Sequence, residues 1–224
     1  MSDRGPACLI TNRHVVTGTD AFTGECLDKK YAALPDSLRV HVVQASNLRK
    51  TLPLEVPLFD EDGRHLWFET HSTTEPADVV ALRVPDIAGA LLQPHIVLEN
   101  IEFRLQPTDV VHIVGFPFGE RTIDSFAVWA TGHIATQPAF DHGDRPVFLV
   151  DSRTREGQSG SPVILYDGRG HNSRAAGGFI EVIAGSTKLL GVYSGRINKD
   201  SDLGMVWKTR TIVEVALKAW RSSQ

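Results

Sequence analysis

Cysteine is scarce in this sequence, and long apolar segments are missing. Only two of the 224 residues, Cys8 and Cys26, are cysteines, which excludes a disulfide framework and a cysteine-rich metal site. We expect both thiols to be unpaired and partly buried rather than joined in a disulfide. No run approaches the roughly 20 apolar residues that a membrane span requires, and the first residues lack the apolar core of a signal peptide. The sequence therefore predicts a cytoplasmic protein with no membrane partner.

A strong excess of charge is also lacking. The chain has 23 Lys and Arg residues against 27 Asp and Glu residues, so its formal net charge is -4. This balance gives no electrostatic reason to expect nucleic acid or an anionic membrane as a partner. Internal repeats, low-complexity tracts and heptads are not evident either. What remains is an ordinary globular chain, long enough for one large domain or two lobes.

Turn-forming residues are frequent. The 19 Gly and 12 Pro residues separate many short runs that are rich in Val, Ile, Leu and Thr, a pattern that predicts an all-β architecture. The predicted strands are 8–11, 38–44, 54–59, 65–69, 75–84, 110–114, 126–135, 146–150, 162–166 and 189–197. The irregular segment 85–107 predicts a linker between two lobes. Helical spacing from Thr211 onward predicts a C-terminal helix, with Thr211 and Glu214 forming a capping box.

One serine lies between two glycines in the motif Glu156-Gly157-Gln158-Ser159-Gly160-Ser161-Pro162. A nucleophilic serine needs a tight turn that exposes its hydroxyl and directs backbone N–H groups at the oxyanion that forms when a carbonyl is attacked. Gly157 and Gly160 permit such a turn, because glycine adopts backbone angles closed to other residues. The motif alone does not distinguish a catalytic serine from a structural turn.

A nucleophilic serine also needs a base, usually histidine, and the histidine needs an acceptor that holds its tautomer. His14 follows the first predicted strand in a polar turn, and Asp78 precedes an apolar run. Taken singly, each has a structural interpretation: a surface histidine, and a strand-entry aspartate bonded to its own backbone. Together with Ser159 they occur in the order His, Asp, Ser, which is that of the chymotrypsin arrangement.

Two other hydrolase classes fit the sequence poorly. An α/β-hydrolase nucleophile elbow needs glycine where Ser161 stands, and its histidine follows the serine, with an acidic residue between them. His171 is the only histidine after Ser159 and leaves too little chain for that arrangement. A zinc hydrolase is disfavoured because the nine histidines are scattered and no His-Glu-x-x-His motif occurs. We therefore expect neither a metal nor a cofactor.

The segments 11–16, 77–82 and 157–162 resemble the three signature segments of the trypsin-like serine proteases. The resemblance is strongest to the bacterial branch that includes the HtrA-type and glutamyl endopeptidase domains, and it covers nearly the whole chain. It implies a chymotrypsin-like fold of two antiparallel β-barrels with a C-terminal helix. Residues 1–105 would form the lobe that carries His14 and Asp78, and residues 106–224 the lobe that carries Ser159.

The resemblance also implies a role for each residue of the site. His14 would be the general base and then the general acid, and Asp78 would orient and stabilise its imidazolium. Ser159 would form the acyl-enzyme, while the backbone N–H groups of Gly157 and Ser159 would make the oxyanion hole. The expected activity is that of a serine endopeptidase with a polypeptide substrate. The alternative is a catalytically weak, protease-like module that binds peptides or has a regulatory role.

The sequence indicates less about substrate preference than about the catalytic residues. Segment 190–196 resembles the strand that pairs with the substrate backbone, and Arg153 and Thr154 come from the loop before the nucleophile. The residues expected to bind substrate are Thr154, Tyr193, Ser194, Gly195 and Arg196. An arginine in the pocket, Arg153 or Arg196, would favour an acidic residue before the cut bond, whereas a solvated arginine would not. A trypsin-type preference is disfavoured, because no aspartate occupies the pocket positions that can be assigned.

The sequence departs from the family pattern at two places. Gln158 stands where animal digestive enzymes have an aspartate that pairs with a newly cut N-terminus, so we expect a site that forms without zymogen processing. Family members normally have one or two strands before the segment that matches 8–11, whereas only seven residues precede Cys8 here. Either the polypeptide is a fragment, or its first barrel is completed differently. A first barrel short of its N-terminal strands would leave an unpaired edge open to self-association.

Overall fold

The structure, a computed structural model, describes most of the chain. The described residues are 7–72, 75–85, 87–91, 105–119, 126–167, 171–174, 180–183, 186–198 and 200–222. For residues 167, 171–174, 180–183 and 186 only the backbone is described. The predicted linker 85–107 therefore falls largely outside the described residues.

The described residues form mainly β-strands, and the predicted all-β architecture with a C-terminal helix is confirmed. The strands are β1 Cys8–Thr11, β2 Ser37–Gln44, β3 Asn47–Pro57, β4 Trp67–Ser72, β5 Glu75–Arg83, β6 Ala90–Leu91, β7 Val110–Gly115, β8 Val128–Ile134, β9 Val147–Asp151, β10 Pro162–Asp167, β11 His171–Arg174, β12 Ile180–Ile183, β13 Ser186–Arg196 and β14 Leu203–Lys208. The helices are α1 Arg13–Thr17 and α2 Thr209–Arg221, and a 3-10 turn spans Pro117–Gly119.

The C-terminal half contains a closed antiparallel barrel. Its strands follow one another in the order β10, β13, β14, β9, β8 and β7, and β10 also pairs with β7 to close the ring. Side chains alternate between the interior and the surface along β7, whereas β9 and β14 are buried on both faces. In β7, Val111 and Ile113 are fully buried while Val110 is exposed. This barrel is the second barrel that the family resemblance implied.

The N-terminal half has a more open arrangement. Its described strands form two three-stranded sheets, β1-β5-β4 and β3-β2-β6. These sheets do not close into a barrel within the described ranges, so only one of the two barrels that the resemblance implied is seen closed there. Val16, Leu58, Trp67 and Leu82 pack between the sheets and form the core of this half. The expected boundary between the lobes near residue 105 stays a prediction.

Strand β5 joins the two halves. Val80 and Leu82 face the N-terminal core, whereas Ala77, Val79 and Ala81 pack against α2 and the wall of the barrel. Both faces of β5 are therefore buried, and burial of each valine stabilises this position by about 1.5–3 kcal/mol. Any side chain at this part of β5 is held in a fixed position between the two halves.

Two local predictions are wrong. His14 lies in the five-residue helix α1 rather than in a turn. At the C-terminus, α2 begins at Thr209 with Lys208 as its N-cap residue and no side-chain cap, so Thr211 and Glu214 do not form a capping box. Thr211 is instead buried within the helix, and the Thr70 hydroxyl donates to Glu214. The reason is that β14 runs directly into α2, which starts the helix before Thr211.

Strand β14 was not predicted. Its glycine, Gly204, is atypical of a strand, and the structure shows why it is needed: a Cβ there would lie 2.3 Å from Cε2 of Tyr193. Strands β11 and β12 were also missed. Cys8 and Cys26 are both free and partly buried, as predicted. Among the described residues, no helix is long and apolar enough to span a membrane.

Candidate active site

His14 is held by Asp78 through two groups. A hydrogen bond of 2.8 Å joins Nδ1 of its ring to Oδ2 of Asp78, and its backbone N–H donates to Oδ1 at 2.9 Å. Because an ionised carboxylate only accepts hydrogen bonds, Nδ1 carries the ring proton and Nε2 is left as an acceptor. Helix α1 presents the residue for both bonds, since its first turn places the N–H and the ring of His14 on the side of β5. The arrangement is that of a histidine prepared to act as a base.

Asp78 is only 2% exposed, and its charge is compensated by donors. Besides His14, the hydroxyl of Ser194 donates to Oδ2. The side-chain amide of Asn12 donates at 2.7 Å to the backbone carbonyl of Asp78 and so fixes the strand at this position. A buried carboxylate is tolerated only when such partners replace water. Ser194, which was expected to contact substrate, uses its hydroxyl to hold Asp78.

The Ser159 turn has the backbone angles that its two glycines permit. Gly157 has φ +87° and Gly160 has φ +82°, a region that side chains disfavour. Space is short as well: a Cβ on Gly157 would lie 2.7 Å from the carbonyl oxygen of Phe116, and a Cβ on Gly160 would lie 2.7 Å from Oγ1 of Thr11. The turn therefore packs against both halves of the molecule at once.

The peptide group between Glu156 and Gly157 has a fixed orientation. The backbone N–H of Phe118 donates to the Glu156 carbonyl at 2.6 Å. In a trans peptide the carbonyl and the following N–H point in opposite directions, so the Gly157 N–H is directed away from Phe118. Among the backbone hydrogen bonds of the described residues, none is donated by Gly157 or Ser159. Both N–H groups are thus available to a ligand, as an oxyanion hole requires.

The buried side chain of Gln158 stabilises the same turn from the interior of the protein. This side chain is 1% exposed, and Oε1 accepts the backbone N–H of Arg155 at 2.7 Å. Its Nε2 has no hydrogen-bond partner in the described part of the chain. A neutral amide therefore anchors this loop where digestive enzymes use a charged aspartate. The expectation that the site forms without zymogen processing stays a prediction.

His14 and Ser159 line the same cavity, which has a volume of about 500 Å³. Gly157 contributes to the lining from the barrel, and the remaining residues come from α1 and the segment that follows it: Val15, Gly18, Leu27, Asp28, Ala33 and Pro35. The structure thus places Asp78 in a hydrogen bond with His14, and places His14 and Ser159 in the lining of one cavity.

The remaining predicted substrate-binding residues fall into two groups. Thr154 and Tyr193 are buried, and their hydroxyls are hydrogen-bonded to each other inside the barrel. Burial raises the pKa of Tyr193, an effect that its bond to Thr154 and the charge of Arg196 only partly offset. Only the backbones of these two residues can reach a substrate, and that of Tyr193 already bonds Gly160 and Ser161 of the Ser159 turn.

Gly195 and Arg196 belong to the second group. The pairing of β13 with β10 ends at Val192, opposite Pro162, so the last residues of β13 lie beyond that ladder. Gly195 and Arg196 are half-buried there. This end of β13 offers a strand edge beside the Ser159 turn. Arg153, the other candidate for an acid-selective pocket, is exposed.

No group of three or more His, Cys, Asp or Glu side chains that could hold a metal ion occurs within the described ranges. The sequence did not reveal that Asn12 and Phe118 shape the site. It also did not reveal that the hydroxyl of Ser194 bonds Asp78. Asn12 and Ser194 do lie within or beside motifs that were recognised. Their bonds to Asp78 span 66 and 116 positions of the chain, and no local pattern reports such a pairing.

Three solved structures of bacterial proteases are similar to this chain at low sequence identity. The serine endoprotease from Yersinia pestis is 18% identical, with a TM-score of 0.50 over 100% of this chain and 57% of its own. The active form of the Rv3671c protease from M. tuberculosis is 14% identical, with a TM-score of 0.40 over 98% and 93%. An inactive form of Rv3671c from M. tuberculosis H37Rv is 19% identical, with a TM-score of 0.41 over 85% and 79%. This chain thus spans little more than half the length of the Yersinia endoprotease.

No curated protein matches the sequence significantly. The sequence profile of the trypsin-like peptidase domain, however, matches residues 1–170, a stretch that includes His14, Asp78 and Ser159. This match covers most of the chain and agrees with the closed barrel and with the His-Asp pair at its edge. The chain belongs to the trypsin-like peptidase domain family.

Proposed function

We propose that this protein is a serine endopeptidase in which Ser159 is the nucleophile, His14 the general base and Asp78 the residue that orients His14. The observation that carries the proposal is the shared cavity: His14, with Nδ1 held by Asp78, and Ser159 both line it. A histidine that is fixed in this tautomer keeps Nε2 as the acceptor for a proton. A serine facing the same space is the natural source of that proton.

The reaction follows from this arrangement. Oγ of Ser159 attacks the carbonyl carbon of the substrate while its proton passes to Nε2 of His14, and the imidazolium is stabilised by Asp78. The oxyanion accepts hydrogen bonds from the N–H groups of Gly157 and Ser159. When the C–N bond breaks, His14 returns the proton to the leaving amine. Water then attacks the acyl-enzyme with His14 again as base, and Ser159 is restored.

The end of β13 supports a polypeptide as the substrate. An extended peptide can add to the edge of a strand through main-chain hydrogen bonds, a mode that needs no particular side-chain sequence. Residues 194–196 lie beyond the pairing with β10 and beside the Ser159 turn. We therefore place the acyl part of the substrate, the residues before the cut bond, along this edge. Arg196 remains the candidate for a preference for an acidic residue before the cut.

The test is active-site labelling with a fluorophosphonate, followed by mapping of the adduct by mass spectrometry. We expect a single adduct on Ser159 and none in Ser159→Ala. The matched control is Ser46→Ala, which removes an exposed hydroxyl in a turn outside the site and should label like the unaltered protein. Digestion of a peptide library, analysed with the same variants, then measures cleavage directly.

The rival function is a catalytically weak module that binds peptides in the same cleft or has a regulatory role. A folded sample that binds library peptides but gives no adduct and no cleavage would support that function and exclude the endopeptidase. An adduct on a serine other than Ser159 would also contradict the proposed nucleophile.

Self-association through an open sheet edge is a further part of the proposal, and we assign it to β1. The other edge of its sheet, β4, has its outward carbonyls capped: His65 Nδ1 donates to Trp67 at 3.0 Å and Lys218 Nζ donates to Glu69 at 2.9 Å. Such capping is a common protection of edge strands. Sedimentation velocity over a hundredfold range of concentration should reveal a dimer. A monomer at every concentration excludes this association.

A further inference from the structure

The segment between α1 and β2, residues 18–35, forms one wall of the cavity and is ordered by its own hydrogen bonds. The backbone N–H of Leu27 donates to Gly18 at 2.8 Å, which closes the segment at its base. The carboxylate of Asp20 accepts the N–H groups of Phe22 and Thr23, and that of Asp28 accepts those of Lys30 and Tyr31. This wall is therefore formed before any substrate binds.

The same segment exposes an unusual amount of apolar surface. Its exposed large apolar side chains are Phe22 at 49%, Leu27 at 48%, Tyr31 at 73% and Leu34 at 63%. An apolar side chain marks a binding surface only where it faces a site that a ligand can enter. Of these side chains only Leu27 lines the cavity, where it lies with Ala33 and Pro35. Leu27 is thus the apolar residue of this segment that a substrate in the cavity would meet.

The lining of the cavity indicates which part of the substrate it receives. In the proposed function the residues before the cut bond lie along residues 194–196 of β13. None of these residues lines the cavity, whereas Ser159 and Gly157 do. The substrate chain passes Ser159 once, so a cavity that Ser159 lines and residues 194–196 do not line is the natural place for the other side of the cut bond. In this placement the cavity receives the residues that follow the cut bond and leave as the amine.

We propose that Leu27 and Asp28 select the residue that follows the cut bond, favouring an apolar side chain and, among charged ones, a cation over an anion. The inference rests on the proposed function. Leu27, with Ala33 and Pro35, supplies the apolar contact. Asp28 supplies a negative charge, and the N–H groups of Tyr31 and Lys30 hold its pKa below the ordinary value, so it is ionised at neutral pH.

The neighbouring lysines do not cancel this charge within the cavity. Lys29 is bonded to Glu25 at 2.8 Å, and Lys30 lies over the ring of Tyr31. Neither lysine is part of the cavity lining. The wall that a leaving group meets is therefore apolar with one carboxylate.

Acyl transfer to added amines tests this selection directly. The acyl-enzyme formed from a peptide ester is allowed to partition between water and an amino-acid amide. The amine nitrogen attacks the ester carbonyl, the bond to Oγ of Ser159 breaks, and the proton lost by the amine passes through His14 to Oγ. The ratio of amide product to acid product measures how well each amide occupies the leaving-group side. Leucinamide, glycinamide, argininamide and the α-amide of aspartic acid cover the relevant chemistry.

We expect leucinamide to be captured about ten times better than glycinamide, which is the order of discrimination that an apolar pocket gives. Argininamide should be captured better than the aspartic acid amide. Leu27→Ala should remove the preference for leucine, with Leu27→Ile restoring it, and Asp28→Asn should remove the preference between the charged amides. Leu34→Ala, which alters an exposed apolar residue outside the cavity, should change neither ratio.

Equal capture of all amides by an enzyme that still forms its acyl-enzyme would overturn this inference and leave the proposed function standing. Loss of the leucine preference in Leu34→Ala to the same extent as in Leu27→Ala would also overturn it. If no acyl-enzyme forms at all, the proposed function fails and this inference fails with it.

Discussion

Asp78 accepts from His14 with both of its carboxylate oxygens, Oδ1 from the backbone N–H and Oδ2 from the ring. The first bond fixes the start of α1 against β5, and the second fixes the tautomer of the imidazole. One carboxylate thus fixes both the position of His14 and the ring nitrogen that carries its proton. The two bonds can be separated by substitution, because an amide keeps one acceptor oxygen but replaces the other with a donor.

Asp78→Asn should therefore reduce kcat by about 10⁴-fold while the fold is retained. The amide oxygen can still accept the backbone N–H of His14, but its NH₂ group faces Nδ1 and favours the tautomer in which Nε2 carries the proton. Nε2 is then unable to take the proton of Ser159. The measurement is kcat for a peptide ester, with circular dichroism to confirm folding. Asp200→Asn, an exposed aspartate, is the control, and a loss below tenfold for Asp78→Asn would contradict the assigned role.

Gly157→Ala should lower kcat by about 10² to 10³-fold, the effect of losing one oxyanion donor. The added methyl group meets the Phe116 carbonyl at 2.7 Å and also requires a left-handed backbone, so the peptide that carries the Gly157 N–H must shift. Gly63→Ala is the matched control, because Gly63 has φ +76° but no atom within 4 Å of the added Cβ. If both variants keep full activity, the Gly157 N–H does not contribute to an oxyanion hole.

Gln158→Met should reduce kcat by between about 10-fold and 100-fold without lowering the free energy of unfolding. The substitution removes the bond that holds the Arg155 N–H, so the Ser159 turn is less well positioned. It also removes a buried Nε2 that has no partner in the described residues, which offsets the lost bond in stability.

Urea unfolding and steady-state kinetics measure the two effects separately. Gln137→Met, at an exposed glutamine, should alter neither quantity. A variant at position 158 that loses stability but keeps its kcat would show that the glutamine serves only the fold.

Asp141→Asn should lower stability more at neutral pH than in strong acid. Partial burial acts to raise the pKa of Asp141, but hydrogen bonds from Lys208 and Arg210 outweigh it and hold the pKa below its ordinary value. A depressed carboxyl pKa stabilises the folded state above the unfolded value of about 3.9. This contribution is lost as the pH falls through the folded-state pKa. It amounts to no more than about 1 kcal/mol, because the side chain is 39% exposed.

The measurement is the free energy of unfolding of both proteins at pH 7 and at pH 2.5. The difference between them should be larger at pH 7 than at pH 2.5, because protonation of Asp141 in acid weakens its bonds to Lys208 and Arg210. A difference that is as large in acid as at neutral pH would exclude the ion pair as its cause.

Local sequence patterns predicted most of the strands and the C-terminal helix. The signals for these elements, which are the spacing of apolar residues and the turn-forming residues between strands, lie in neighbouring positions of the chain. β5, for example, was predicted with nearly its observed bounds. Patterns failed where a local preference is overruled by packing. Thr211 and Glu214 have the form of a capping box, yet Thr211 is buried in the core beneath α2. Gly204 interrupts a strand pattern because the ring of Tyr193 needs its space.

The amino-acid sequence by itself determined the family and the identity of the candidate triad, because each signature segment is short and continuous. It also placed the two glycines that allow the Ser159 turn. Only the tertiary structure decided that Ser194 and Asn12 hold Asp78, that Phe118 orients the Gly157 peptide, and which side chains face the cavity. Those relationships join residues that are far apart in the chain, and their geometry depends on how the two halves pack around β5.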